Sequence, residues 1–308
     1  MVSVLNGVLP VFAVVGLGIV LKRLRVVDDA FLGVADRLIY YIFFPALLFW
    51  KIGKPSPENS MEWGFIAAIM LSVFVVFVAS LAFVKLRRMP SYAVGSFCQA
   101  CYRFSTYIGM ATVMAAVGEE GVRRFAVLIG FVIPFINVLA LSTLIWFSGP
   151  EYPRGRRATL LAKAMVSNPL ILACLTGLIY AKLKIPFPTF VDNTLALMST
   201  MALPLALISI GGSLRFTSFG GHLRYSLMAA AFKLFLLPVI GYVALKILNV
   251  APVALQVGMI YCALPTSPNN YILSSQLNSD VDLAAGSIVL STLLSILSLS
   301  AVLMLFGG

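Results

Sequence analysis

From Phe65 to Val84 the chain runs twenty residues without one charged side chain. That is the length and character one helix needs to cross a bilayer. On a template of about 20 mostly apolar residues, ten such spans can be read: 4–21, 30–50, 64–84, 91–117, 124–147, 165–182, 190–213, 223–246, 252–277 and 283–306. They use most of the 308 residues, and the short tails and connections leave no room for a separate soluble domain. Barrel strands would alternate in polarity over about ten residues, which the continuous apolar runs exclude. Composition agrees: 61% of residues are hydrophobic and 11% charged, against about 25% charged in a soluble domain. A water-soluble enzyme, a nucleic-acid binder and a disordered scaffold are therefore excluded together. The expected class is an all-α integral membrane protein, with the lipid bilayer as a partner and no nucleic acid.

The net charge of +11 is mainly a topology signal. Loops after odd-numbered spans carry twelve Lys and Arg, including Lys22, Arg23, Arg25, Lys85, Arg87, Arg88, Arg154, Arg156, Arg157 and Lys163. Loops after even-numbered spans, among them those with Lys51, Lys54, Arg123 and Arg124, carry seven. Cytoplasmic loops hold the excess of cations, so both termini are expected outside a cytoplasmic membrane. The opening Met-Val-Ser-Val-Leu-Asn lacks the basic region of a cleaved signal peptide, so the first span is expected to stay.

One pattern occurs twice. Pro10, Gly18, Arg23, Arg25, Val26, Phe31 and Pro45 are matched 159 residues later by Pro169, Gly177, Lys182, Lys184, Ile185, Phe190 and Pro204. The halves are expected at 1–149 and 164–308, joined by a cytoplasmic linker at 150–163. Each holds five spans, an odd number, so the two must lie in the membrane with opposite orientations. Inverted repeats are a hallmark of secondary transporters, whose sites sit near the bilayer midplane at interrupted helices.

The ninth span holds Pro265 and Pro268 in Leu-Pro-Thr-Ser-Pro-Asn-Asn-Tyr. Each proline removes an N–H donor and clashes with the preceding turn, so the helix is expected to break there. Thr266, Ser267, Asn269 and Asn270 are then available to loose backbone groups or to a solute. The fourth span reads Cys101-Tyr-Arg103-Phe-Ser105-Thr106-Tyr107-Ile-Gly109 and has no proline, so its break rests on Gly109 and the polar run. Three cations fall inside spans: Arg37, Arg103 and Lys233. Arg37 sits beside Asp36 near a span end, where it can pair or snorkel. Arg103 and Lys233 lie deeper, whereas every acid sits in a loop or near a span end. A charge at membrane depth is costly and marks function by default. Such cations take either an anionic substrate or the end carbonyls of a broken half-helix.

Phe44-Pro45-Ala46-Leu47-Leu48-Phe49, Leu203-Pro204-Leu205-Ala206-Leu207 followed by Gly211 and Ser213, and Leu264-Pro265-Thr266 followed by Asn269-Asn270-Tyr271 resemble the auxin efflux carrier family. That family includes bacterial carriers of small carboxylates and is similar to the plant PIN auxin exporters. The resemblance covers essentially the whole chain. It implies ten transmembrane helices as two inverted five-helix repeats, with crossed discontinuous helices 4 and 9. It further implies a scaffold of spans 1, 2, 6 and 7, a mobile transport unit of spans 3–5 and 8–10, and a homodimer working by an elevator-like motion, with spans 2 and 7 as the expected contact. The span-4 segment departs from the plant pattern in lacking a proline, and the long cytoplasmic loop of many plant members is absent.

The expected function is secondary active transport of small organic anions, carboxylates and auxin-like acids included. The expected substrate-binding residues are Arg103, Ser105, Thr106, Tyr107, Pro265, Thr266, Asn269, Asn270 and Tyr271, with Lys233 beside them. No deep carboxylate provides a proton relay, while sodium held by carbonyl, Asn, Ser or Thr oxygens stays open. A channel-like uniporter and a receptor that binds without transporting are the alternatives. Cys98, Cys101, Cys174 and Cys262 read as packing residues, and His222 as a solvated loop residue. Gly16, Gly18, Gly130, Gly211 and Gly212 read as close-packing positions. No Walker pattern, nucleophile elbow or acidic prenyltransferase-like motif is present, so no catalysis, metal or cofactor is expected.

Overall fold

The computed structural model describes residues 8–54, 62–147, 167–214 and 222–306. The linker expected at 150–163, with its four cations, and Arg215 lie outside the described residues. All regular structure among the described residues is helical. The helices are α1 (Leu9–Arg23), α2 (Asp29–Gly53), α3 (Trp63–Arg87), α4 (Ser91–Tyr102), α5 (Thr106–Val117) and α6 (Glu119–Phe147). They are followed by α7 (Pro169–Leu183), α8 (Thr189–Ser213), α9 (Leu223–Ile247), α10 (Pro252–Ala263), α11 (Asn269–Gln276) and α12 (Val281–Phe306). Six of them, α2, α3, α6, α8, α9 and α12, are long and apolar enough to cross a membrane. The other expected spans are shorter or split: α1 and α7 have 15 residues each, while α4 with α5, and α10 with α11, fill the interrupted fourth and ninth.

Local signals place the ends. Asp28 caps α2 by accepting the Phe31 N–H at 2.7 Å. Asn168 caps α7, its Oδ1 accepting from Leu170 and Ile171, with Pro169 at the first helical position, where no N–H is needed. Single π-type turns interrupt α2 at Ile39–Phe43 and α9 at Phe232–Leu236. Each lies just ahead of a proline, Pro45 or Pro238, whose ring disrupts the regular ladder. Residues with positive φ follow six of the helices: Arg25 and Lys184 after α1 and α7, Arg88 and Asn249 after α3 and α9, Gly118 and Asn278 after α5 and α11.

Close backbone approach holds α1 against α8. A Cβ on Gly18 would collide with the Ile208 carbonyl, and one on Gly211 with the Val15 carbonyl. Small residues permit this in membranes, where packing rather than water drives helix association. Gly212 fits against Leu32, and Gly130 against Cys174. Gly16 departs from expectation: its Cβ would have nothing within 4 Å, because it points away from the seam that Gly18 forms.

Three polar side chains also differ from the sequence reading. Lys51, expected in a loop, lies in the last turn of α2; it is buried, with Nζ donating to both Glu119 carboxylate oxygens at 2.6 and 2.7 Å. The helix runs past the apolar stretch because an acid on α6 is there to receive the ammonium. Asp36 accepts the Ser209 hydroxyl of α8 rather than pairing with Arg37. His222, expected in a solvated loop, stands at the head of α9 with Nδ1 3.4 Å from Asp280 Oδ2.

Candidate functional site

The two interrupted segments meet. α4 stops at Tyr102, where Arg103 turns extended (φ −64°, ψ 156°), and α10 stops at Ala263, where Leu264 does the same (φ −65°, ψ 150°). The backbone N–H of Ser105 then donates to the carbonyl of Pro265 at 2.9 Å. A backbone group freed by one break thus satisfies a group freed by the other. Pro265 breaks α10 because it has no N–H, and its own carbonyl is turned outward to the partner segment.

Other ends at the breaks are closed from neighbouring helices. Ser298 of α12 donates to the Ala263 carbonyl at 2.8 Å, and Ser291 accepts the Thr266 N–H at 3.2 Å. Lys233, fully buried in the π turn of α9, donates Nζ to the Cys262 carbonyl at 3.2 Å and lies 5.5 Å over the Tyr261 ring. It therefore sits at the C-terminal end of α10, where a cation favourably meets unpaired carbonyls. It does not line the cavity described next.

That cavity, of about 40 Å³, is lined by Tyr40, Arg103, Phe104, Thr106, Ile133, Ile136, Asn137, Asn168, Leu170, Ser267 and Asn269. The volume accommodates a few waters, since one needs about 10–15 Å³. Thr106 and Asn269 are the first residues of α5 and α11, so two helix N-termini, with their positive dipole ends, border it. Tyr40 on α2, with Asn168 and Leu170 at the head of α7, also lines it.

Arg103 is the one charged residue in that lining. It is 4% exposed. Nη1 donates to Gln99 Oε1 at 2.7 Å and Nη2 to Asn137 Oδ1 at 2.8 Å. Both partners are neutral amides, and among the described residues no carboxylate pairs with it. A guanidinium carries five N–H donors, so two are engaged by protein and the rest remain for another acceptor. Ser105 Oγ and Thr266 Oγ1 are buried at the two breaks and, among the described residues, have no hydrogen-bond partner. Leaving such a hydroxyl unmatched costs roughly 1–3 kcal/mol.

Of the residues the sequence singled out, Arg103, Thr106 and Asn269 line the cavity, and Ser105, Pro265 and Thr266 form the breaks behind it. Tyr107 packs edge-on against Phe44 at 4.7 Å. Asn270 turns the other way, its Nδ2 donating to the Ser96 carbonyl at 3.2 Å and its Oδ1 accepting from Ser274. With the Ser96, Ser274 and Ser279 hydroxyls it ties α4 to α11. Tyr271 is outside the cavity lining. Missed were Tyr40, Asn137 and Asn168. Asn137 had a signal, a lone amide inside the apolar run of α6; so had Asn168, a capping residue directly before a proline.

The family model described as membrane transport protein matches residues 156–303. The curated relatives include a protein of Rhizobium meliloti (strain 1021) named "Putative malonate transporter", 24% identical, with 99% of this chain and 96% of the relative aligned. An uncharacterized transporter of Methanocaldococcus jannaschii is 22% identical over 95% of this chain and 96% of its own length. One of Methanothermobacter thermautotrophicus is 25% identical over 95% of each. Relatives named as transporters along almost the whole chain, the match to the membrane transport protein family over residues 156–303, and six described helices of membrane-crossing length mark a multi-pass membrane transporter similar to that family, not an enzyme.

Proposed function

We propose that this chain is a secondary carrier of small organic anions, with carboxylates as the substrate class. The observation that carries the reading is Arg103: a buried guanidinium with amide partners only, facing a cavity where two interrupted helices meet. A cation at membrane depth needs a counter-charge, and a substrate carboxylate supplies one in the bidentate geometry that guanidinium favours. The N-termini of α5 and α11 add positive potential at the same place. The relative named for malonate is consistent with this class.

The mechanism proposed is alternating access of elevator type. α1, α2, α7 and α8 are the scaffold; α3–α6 and α9–α12 are the transport unit, related as two inverted halves. The matched helix lengths and paired left-handed residues support the repeat. The cavity draws its walls from both units, Tyr40 and Asn168 from the scaffold and Arg103 and Asn269 from the transport unit. Its small volume fits a state closed around water, so substrate entry requires the two walls to part. A homodimer through α2 and α8, and a multi-pass topology with both termini outside a cytoplasmic membrane, complete the proposal.

Counterflow in proteoliposomes against a panel of mono- and dicarboxylates tests it. Malonate or a related carboxylate is expected to exchange, and Arg103→Gln to lower its apparent affinity by about tenfold or more. Unchanged affinity in Arg103→Gln at normal membrane abundance would overturn Arg103 as the anion contact.

A further inference from the structure

We infer that the neutrality of Asn137 and Gln99 sets the anion preference of this cavity: the two amides position Arg103 without consuming its charge. The inference rests on the anion reading above and names how that site is tuned. Burying a guanidinium is expensive unless it is paired and hydrogen-bonded, and a carboxylate is the usual partner. Here both hydrogen bonds, at 2.7 and 2.8 Å, end on amide oxygens. Asn and Asp have the same shape, as do Gln and Glu; they differ in the charge that would cancel that of Arg103.

The positions of the two amides fit a positioning role. Gln99 lies one turn before Arg103 on α4, and its own Nε2 donates to the Gly95 carbonyl at 3.2 Å, which fixes the amide with its oxygen toward the guanidinium. Asn137 reaches across from α6, 34 residues on, and also lines the cavity. Two acceptors from two helices hold the planar fork in one orientation at the point where α4 ends. Among the described residues the lining contains no Asp or Glu, so an entering anion supplies the counter-charge to Arg103.

The test uses the purified full-length chain in nanodiscs, with malonate, succinate and acetate as probes, read by ligand-induced thermal stabilisation and by counterflow. Asn137→Asp is expected to keep or raise the melting temperature without anion, because it converts a hydrogen bond to an ion pair. The same change is expected to lower malonate affinity by about a hundredfold. Asn137→Thr, a shorter neutral acceptor, is expected to melt lower and yet keep its affinity within about tenfold. A purely structural role would move stability and affinity together in both variants. Gln99→Glu repeats the charge test from the other helix should Asn137→Asp fail to fold.

Wild-type affinity in the acidic variants, or parallel loss in Asn137→Asp and Asn137→Thr, overturns the inference while leaving the anion reading in place. A wild-type protein that neither binds nor exchanges any carboxylate of the panel overturns both.

Discussion

Gly211→Ala puts one methyl group into the tightest place in the fold. The new Cβ would overlap the Val15 carbonyl oxygen, lie 2.9 Å from that carbonyl carbon and 3.2 Å from Gly18 Cα. All three are backbone atoms, so no side-chain rotamer relieves the clash and α1 must separate from α8 by on the order of an ångström, which falls among the overpacking changes that cost about 1–3 kcal/mol. With rigid backbone on both sides the upper end applies. Alanine returns about 1 kcal/mol through helix propensity, leaving a net loss of about 2 kcal/mol. Gly16→Ala, on the same α1 but with nothing within 4 Å, receives the propensity gain alone. The four cysteines are all buried and free, so a thiol-reactive dye reports unfolding without added labels. On the soluble-protein scale Gly211→Ala should melt roughly 4–8 °C below wild type and Gly16→Ala at or above it. If the two variants melt within about 1 °C of each other, the backbone seam is not what joins α1 to α8.

The Lys51–Glu119 pair should respond asymmetrically. Glu119→Gln strands a buried ammonium and is expected to destabilise by about 1–2 kcal/mol, whereas Lys51→Met leaves a largely exposed carboxylate and should cost less; equal melting temperatures would refute this. Ser105→Ala and Thr266→Val remove buried hydroxyls that have no partner. They are therefore expected to leave the substrate-free melting temperature unchanged or raised by up to about 1 kcal/mol of stability, while weakening carboxylate uptake. A clear loss of stability in both would mean that those hydroxyls are already satisfied.

What the sequence disclosed followed from local chemistry. Apolar length revealed the six long helices, and two prolines three residues apart located the break after α10. The isolated cation Arg103 marked the cavity. Lys233 carried the same signal and came to rest on the Cys262 carbonyl, because a deep cation has two chemically equivalent solutions, a substrate anion or the carbonyl end of a helix. Sequence spacing does not distinguish them; the position of the π turn in α9 does. Asn269 and Asn270 are adjacent in sequence, yet neighbouring residues on a helix diverge by about 100°, so one faces the cavity and the other the Ser96–Ser274 network. Asn137 and Asn168 carry no charge and stand apart from the two interrupted segments in the sequence, so only the tertiary fold brings them beside Arg103 and Asn269.

The break between α4 and α5 is the instructive case, since nothing in Arg103-Phe104-Ser105 forbids a helix on propensity grounds. A continuous helix there would bond the Ser105 N–H to a carbonyl four residues back; instead that N–H reaches Pro265. Pro265 thereby acts on both segments, stopping its own helix through the missing donor and accepting the hydrogen bond that ends the other. The first break is thus a tertiary property, stable only while the second is present. Arg103 reinforces the break, because its side chain is held by α6 as well as by its own helix and so cannot follow a regular α4 without losing Asn137. One proline, together with an amide on a neighbouring helix, thereby holds two interruptions open.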